Sequence, residues 1–182
     1  MPRIQTVENP DGKAKELLDG VEKKIGMVPN IYATMAQAPS VLEFALKGNE
    51  ILGSGSLSAA LREQIALTVA GYNGCDYCAS AHTKIGEGAG LSSDQTQAAL
   101  KGQADDDKAQ AALTFTLALL KNRGQVSGSD IEDVKSAGFS DAEVIEIIAA
   151  TTFNIFTNYF NETVETEVDF PKVSTAEVSK AA

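Results

Sequence analysis

Two cysteines and one histidine form the most informative pattern in this sequence. They are Cys75, Cys78 and His82, and the chain has no other residue of either type. On one α-helix, steps of three and four residues return side chains to the same face, so these three would fall within an arc of about 60°. His82 follows Cys78 by four residues, the spacing of side chains that touch across one helical turn. The spacing therefore predicts an imidazole beside a pair of thiols.

The residues just before the pair predict that both thiols lie at the start of this helix. The run Gly71-Tyr72-Asn73-Gly74 is a cluster of helix-breaking residues. Free N–H groups and the positive end of the helix dipole stabilise a thiolate at such a position, where thiol pKa values fall from about 8.5 to between about 3.5 and 7.5. A thiolate attacks a peroxide oxygen to give a sulfenic acid, which condenses with a neighbouring thiol to a disulfide. The pair can supply both thiols.

A carboxylate on the preceding helix is the fourth candidate. Glu63 lies twelve residues before Cys75 and is flanked by apolar turns, Leu61 on one side and residues 65–69 on the other. A carboxylate in an apolar setting is costly unless it is paired, and the thiols and histidine would be one such partner. We expect Glu63 to orient His82 or to accept a proton through water. The competing interpretation is an ordinary carboxylate on a helix surface.

Two other interpretations of the cysteine pair compete with redox catalysis. Buried thiols can simply pack as small hydrophobic groups, or serve as a regulatory pair. A zinc site would have to use Cys75, Cys78, His82 and Glu63, a feasible but uncommon ligand set. A thioredoxin-like domain needs a βαβ pattern, which this sequence lacks. We therefore favour redox catalysis and predict neither a metal nor a bound cofactor.

Composition limits the class of protein. The chain has 182 residues, 43% of them hydrophobic, which predicts one globular domain. A net charge of −10 would repel a polyanion, so nucleic acid is not expected as a partner. The first residues have no apolar signal core and no run is long enough to span a membrane, so we expect a cytoplasmic protein. In a reducing compartment, a transient catalytic disulfide is more common than a structural one.

Helical periodicity dominates the rest of the chain and predicts an all-α fold. The spacing predicts helices over residues 13–25, 31–36, 39–52, from 58 to the break at 71–74, and 75–87. A nearly continuous apolar run, 109–120, predicts a helix buried on several sides. The last long helix runs from about residue 141 to 159 or beyond. Capping boxes are predicted at three helix starts, Ser92 with Gln95, Ser129 with Glu132, and Ser140 with Glu143.

Two stretches are apolar enough to suggest contacts between subunits. They are residues 109–120 and the aromatic stripe of residues 145–160, and together they offer more hydrophobic surface than a small monomer can readily hide. We therefore expect a homo-oligomer. The tail after residue 171 is small and polar, and residues 172–182 are expected to be frayed.

With these residues in view, the sequence resembles the alkylhydroperoxidase D (AhpD-like) family, in the peroxidase-related branch of the carboxymuconolactone decarboxylase superfamily. The family pattern is a glutamate, eleven residues, Cys-x-x-Cys, three residues and a histidine. Glu63, Cys75, Cys78 and His82 match all four positions and both spacings. The resemblance covers roughly residues 25–171. It includes Gly26-Met27-Val28-Pro29-Asn30 upstream and Gly90-Leu91-Ser92 downstream of the motif.

The resemblance implies an AhpD-like bundle of helices that assembles into trimers or hexamers. It also implies a peroxidase whose disulfide is reduced by an external dithiol, of the lipoyl type in the best-known members. By position, Cys78 would attack the peroxide, Cys75 would resolve the product, and Glu63 with His82 would relay protons. One departure is Tyr77, which replaces a histidine of the best-known member and puts any relay step that needs that histidine in doubt.

Judged from the residues alone, two opposed effects decide which thiol attacks. The helix dipole favours a thiolate at Cys75 by roughly 0.3–1 kcal/mol. A hydrogen bond from His82 to a charged partner at Cys78 contributes roughly 1.5–3 kcal/mol. We therefore predict Cys78 as the attacking thiol if that contact forms. The alternative to an enzyme is a redox-sensing or scaffold oligomer of the same fold.

Overall fold

A computed structural model describes residues 1–176 and Val178, and within them all the regular secondary structure is α-helical, with no β-strand. The all-α prediction is therefore confirmed for the described part of the chain. Its helices are α1 Gly12–Ile25, α2 Asn30–Met35, α3 Pro39–Gly53, α4 Ala59–Asn73, α5 Asp76–Gly88, α6 Ser93–Leu100, α7 Asp107–Lys121, α8 Gly128–Ser136 and α9 Asp141–Val164. None of these helices is both long enough and apolar enough to cross a membrane.

Helix α4 is the central element of the bundle. Every residue from 64 to 71 is buried, and the helix packs against α5, α6, α7 and α9. It begins at Ser58, whose hydroxyl accepts a hydrogen bond from the Leu61 N–H. Since Glu63 lies in the second turn and α5 follows directly, this one helix positions both halves of the predicted site.

The sequence had led us to expect a helix break at Gly71, but α4 continues through this residue. The helix continues to Asn73 and ends at Gly74, which has the left-handed φ of 75° typical of a helix C-terminus. At Gly71 an added Cβ would lie 1.9 Å from the carbonyl oxygen of Leu100. The glycine is needed because the backbones of α4 and α6 approach each other closely there.

Two of the three predicted capping boxes are confirmed, and the third was misplaced. Ser92 with Gln95 and Ser140 with Glu143 form reciprocal caps. The cap of α8 is Ser127 with Asp130, not Ser129 with Glu132. The predicted and observed serine–acid pairs are chemically similar and lie only two residues apart. Because α8 starts two residues earlier than predicted, Gly128 is its first residue.

The start of the C-terminal tail, part of the segment expected to be frayed, hydrogen-bonds to α5. The Val173 N–H donates to Ser80 Oγ at 2.9 Å, and the Thr175 N–H donates to Asp76 Oδ1 at 2.8 Å. Polar side chains of α5, the buried Ser80 and the half-buried Asp76, thus provide acceptors for the tail backbone, which composition alone could not indicate. The remainder of the expected frayed segment, residues 177 and 179–182, lies outside the described residues.

The two apolar stretches have different environments. In α7, residues 112, 113, 115, 116, 119 and 120 are buried in the core, so packing within the chain accounts for this run. On α9, Phe153 and Phe156 instead form an aromatic cluster with Phe44 of α3. The Phe44 residue is 58% exposed. A cavity of about 380 Å³ opens beside this cluster. We refer to Phe44, Ile51, Phe153 and Phe156 as the α3–α9 face.

Candidate active site

The two thiols lie at the junction between α4 and α5. Gly74 ends α4, and Cys75 is the N-cap residue of α5, with extended backbone angles of φ −85° and ψ 96°. Its sulfur accepts a hydrogen bond from the Cys78 N–H at 3.2 Å. Cys75 therefore takes the place of the serine or aspartate that usually caps a helix, and this brings its sulfur close to Cys78. Both cysteines are reduced.

The two thiols differ in acidity although both are buried. Burial favours the neutral form of Cys78, but the hydrogen bond with Cys75, the positive charge of His82 and the Asn161 amide together lower the pKa of Cys78. The hydrogen bond with Cys78 and then burial raise the pKa of Cys75. Because a single negative charge is shared between two adjacent sulfurs, stabilising it on one opposes it on the other. Cys78 is thus the thiol that ionises first.

Glu63 and His82 form a dyad between α4 and α5. Glu63 Oε2 lies 2.7 Å from His82 Nδ1, and both side chains are mostly buried. Burial alone would lower the pKa of His82, but the charge and hydrogen bond of Glu63 raise it. The dyad therefore keeps a positive charge close to Cys78.

The structure brings all four predicted residues together, with one difference in detail. We expected His82 to hydrogen-bond to Cys78, but within the described part of the chain its hydrogen bond is with Glu63. Its effect on the Cys78 sulfur is electrostatic. In the same region, no group of three or more His, Cys, Asp or Glu side chains is arranged to hold a metal ion.

Two residues of α9 complete the surroundings of the thiols, and the sequence analysis missed both. Asn161 Nδ2 donates to Cys78 Sγ at 3.3 Å. Glu162 lies next to Cys75, and burial raises the pKa of this carboxyl. The signal was present in the sequence: asparagines recur at 154, 158 and 161 on the buried face of α9. A buried polar side chain at helical spacing needs a partner.

Tyr77, which replaces a histidine of the best-known family member, faces the core. Its hydroxyl accepts a hydrogen bond from the Ile31 N–H at 3.2 Å, and its ring packs edge-on against Phe170 at 5.8 Å. Burial raises the pKa of Tyr77, so the phenol stays protonated. It supports α2 and the start of the tail and does not contribute a titrating group.

Solved structures of low sequence identity share this fold. A peroxidase-related protein from Ralstonia eutropha JMP134, described as an alkylhydroperoxidase AhpD core, is 23% identical, with a TM-score of 0.80 over 90% of this chain and 92% of its own. A peroxidase-related protein from Silicibacter sp. TM1040 is 20% identical, with a TM-score of 0.81 over 98% and 94%. The debrominase Bmp8, in complex with 2,3,4-tribromopyrrole as a cysteine-to-alanine variant, is 18% identical, with a TM-score of 0.77 over 98% and 96%.

Sequence comparison identifies the segment that carries the dyad and the thiols. No curated protein is significantly similar to the chain. The model of the carboxymuconolactone decarboxylase family matches residues 36–122, a span that begins before α3, contains all four predicted site residues and ends after α7. The resemblance seen in the sequence is therefore confirmed: residues 36–122 match the carboxymuconolactone decarboxylase family, and the described chain has the AhpD-like fold.

Proposed function

We propose that this protein is a thiol-dependent peroxidase that reduces peroxides through a Cys75/Cys78 dithiol–disulfide cycle. The observation that carries the proposal is the different surroundings of the two adjacent thiols: Asn161 Nδ2 donates to Cys78 Sγ at 3.3 Å, and Cys75 Sγ accepts from the Cys78 N–H at 3.2 Å. In these surroundings the pKa of Cys78 is lowered and that of Cys75 is raised. A peroxidase needs one thiolate to attack and one neutral thiol held in reserve to resolve the sulfenic acid. Neither a structural thiol pair nor a pair of metal ligands calls for that asymmetry.

The cycle uses each of the four residues once. The Cys78 thiolate attacks the terminal oxygen of the hydroperoxide, an S–O bond forms, and the O–O bond breaks. The leaving alkoxide takes a proton from His82, whose charge Glu63 stabilises. The Cys75 thiol then attacks the sulfenic acid sulfur, gives up its proton, and displaces the hydroxyl as water. An external dithiol returns two electrons and two protons and becomes a disulfide itself.

We infer that the reductant is a dithiol, of the lipoyl type or a small redox protein, and that no bound cofactor takes part. Both sulfurs are nearly inaccessible, with 0% of Cys75 and 2% of Cys78 exposed. A slender dithiol reaches such a site more easily than a bulky thiol. We also propose that the protein is cytoplasmic, because a reducing compartment keeps the resting pair reduced, and that it is a homo-oligomer joined through the α3–α9 face.

Reductive dehalogenation is a second candidate, favoured by the likeness to the debrominase Bmp8. The same dithiol can supply two electrons to an aryl bromide, which becomes the arene and bromide while a proton is released and the thiols form a disulfide. This reaction would use Cys75 and Cys78 in the same oxidation states as the peroxidase cycle. The two activities are separated by their products, water and alcohol in one case and bromide in the other.

The decisive experiment is a peroxide-consumption assay with several dithiols and several organic hydroperoxides. A thiol peroxidase consumes peroxide catalytically with at least one dithiol, and the Cys75→Ser/Cys78→Ser double variant is inactive. Bromide release from a bromopyrrole, measured in parallel, would indicate the dehalogenase instead. Oxidation of the pair by one equivalent of peroxide without turnover, under every dithiol, would indicate the redox sensor and contradict the peroxidase.

A further inference from the structure

Asn161 makes its side-chain hydrogen bond to a sulfur. Its Nδ2 lies 3.3 Å from Cys78 Sγ, on a side chain that is only 3% exposed. Its other polar atom, Oδ1, is buried and has no hydrogen-bond partner within the described residues. Buried amides are normally satisfied by backbone or side-chain partners. This asparagine is thus held in a costly setting in which the thiol is the one side-chain hydrogen-bond partner that the described part of the chain gives it.

The other buried asparagines of α9 make their side-chain hydrogen bonds to other partners, although Asn158 Nδ2, like Asn161 Oδ1, has no partner within the described residues. Asn154 donates from Nδ2 to the Ala150 carbonyl oxygen at 2.9 Å, one turn earlier in the same helix. Asn158 accepts at Oδ1 from Asn73 at 3.3 Å, which ties α9 to the end of α4. Both contacts have a structural explanation. The contact of Asn161 joins α9 to the atom on which the chemistry depends.

A carboxamide differs from the imidazole of His82 as a stabiliser of the thiolate. Its N–H groups are donors at every pH, whereas His82 is charged only below its own pKa. A donor aimed at the ionised form of a group favours that form. Such a donor is needed here, because the carboxylate of Glu162 lies close enough to disfavour a negative charge on Cys78.

We propose that Asn161 is a further catalytic residue, a fixed donor whose carboxamide holds the Cys78 sulfur in the ionised form that attacks substrate. The inference rests on the proposed function only in that the substrate is a peroxide. The donor role itself concerns the resting thiol and can be measured with no peroxide present.

The test uses a Cys75→Ser background, so that Cys78 is the one thiol. Asn161→Leu removes the donor and keeps the side-chain volume, and Asn154→Leu is the matched control two turns away on the same helix. Thiolate absorbance near 240 nm and the rate of alkylation by iodoacetamide are followed against pH. We expect Asn161→Leu to raise the midpoint of the Cys78 titration by about one pH unit. Below that midpoint the alkylation rate should fall about tenfold, because the thiolate population falls by the same factor. Asn154→Leu should titrate as the background does.

A second measurement needs no change at position 161. In the ¹⁵N-labelled Cys75→Ser protein, the side-chain amide resonances of Asn161 should shift with the midpoint found by alkylation, while those of Asn154 stay constant. An unchanged titration in folded Asn161→Leu, or Asn161 resonances indifferent to the ionisation of Cys78, would overturn the proposal. Failure of the wild-type protein to consume peroxide would contradict the peroxidase and leave these readouts unaffected.

Discussion

Glu63 and His82 are joined by a 2.7 Å contact between Oε2 and Nδ1, across nineteen residues of sequence and the turn between α4 and α5. The contact links the buried central helix to the helix that carries both thiols. It also fixes the ring nitrogen that faces the carboxylate, so the other nitrogen is available to the thiol side of the site. The dyad therefore has a structural and an electrostatic role at once.

Glu63→Gln should destabilise the protein in a pH-dependent way. The pKa of His82 is raised in the folded state by Glu63, so the stabilisation is fully present below the unfolded pKa of about 6.5 and is lost as pH rises through the folded value. We expect the variant to lose about 1.5–3 kcal/mol at pH 6 and much less at pH 9. Urea unfolding at the two pH values measures this, with Glu50→Gln as a control. An equal loss at both would show that His82 is not charged in the folded protein.

The two cysteines should differ in a single turnover with peroxide. Because the lowered pKa belongs to Cys78, Cys75→Ser should still consume one equivalent and retain a sulfenic acid at position 78. Cys78→Ser should react at least about tenfold more slowly, since one pKa unit is a factor of ten in thiolate. Rapid quench with a sulfenate-specific reagent and mass spectrometry locate the label. A burst in Cys78→Ser with the label on Cys75 would reverse the assignment.

Local spacing was enough to predict the core of the site. Glu63, Cys75, Cys78 and His82 lie within twenty residues, on two consecutive helices, so periodicity and one turn determine which side chains can meet. The helices themselves followed from apolar periodicity and caps, and the starts of α4, α6 and α9 were correct to within one residue.

Contacts between distant parts of the chain could not be predicted in the same way. Asn161 meets Cys78 across 83 residues, and Thr175 meets Asp76 across 99. Such contacts depend on how α9 crosses the bundle, which no local pattern specifies. Gly71 was misinterpreted for the same reason, because its role depends on the close approach of Leu100 on a neighbouring helix. In the sequence, a glycine that permits such an approach cannot be distinguished from one that ends a helix.

Gly71→Ala should be strongly destabilising. An added Cβ would lie 1.9 Å from the Leu100 carbonyl oxygen, a backbone atom that cannot move without displacing α6. Overpacking in a core typically costs about 1–3 kcal/mol and occasionally more. Gly20→Ala in α1 is the control, because a Cβ there meets nothing within 4 Å and should stabilise the helix by up to about 1 kcal/mol. Urea denaturation of both variants checks the prediction. Similar stabilities would mean that α4 and α6 are farther apart.

The α3–α9 face should mediate self-association. Phe44 and Ile51 are 58% and 68% exposed, beside the partly buried Phe153 and Phe156, and contiguous apolar surface of this kind marks interfaces. We expect sedimentation to give a mass above that of the 19.1 kDa monomer at micromolar concentration, and Phe44→Glu to lower it. Ile25→Glu, at the exposed end of α1, should leave the mass unchanged. A wild-type monomer would contradict the expectation.

The C-terminal tail should limit access to the thiols. Ser80 Oγ accepts from the Val173 N–H at 2.9 Å, and Asp76, the neighbour of Cys75 in the chain, accepts from the Thr175 N–H at 2.8 Å, so the tail is bound to the helix that carries Cys78. Ser80→Ala removes the first of these acceptors without changing any charge. The tail then leaves α5 more often, and we expect a bulky disulfide reagent to react with the thiols roughly tenfold faster, the effect of about 1.4 kcal/mol on an opening equilibrium. Ser93→Ala, at the exposed start of α6, is the matched control, and iodoacetamide serves as a small reagent that should respond less. Equal rates for the bulky reagent in wild type and Ser80→Ala would show that substrates reach Cys78 by a route that avoids the tail.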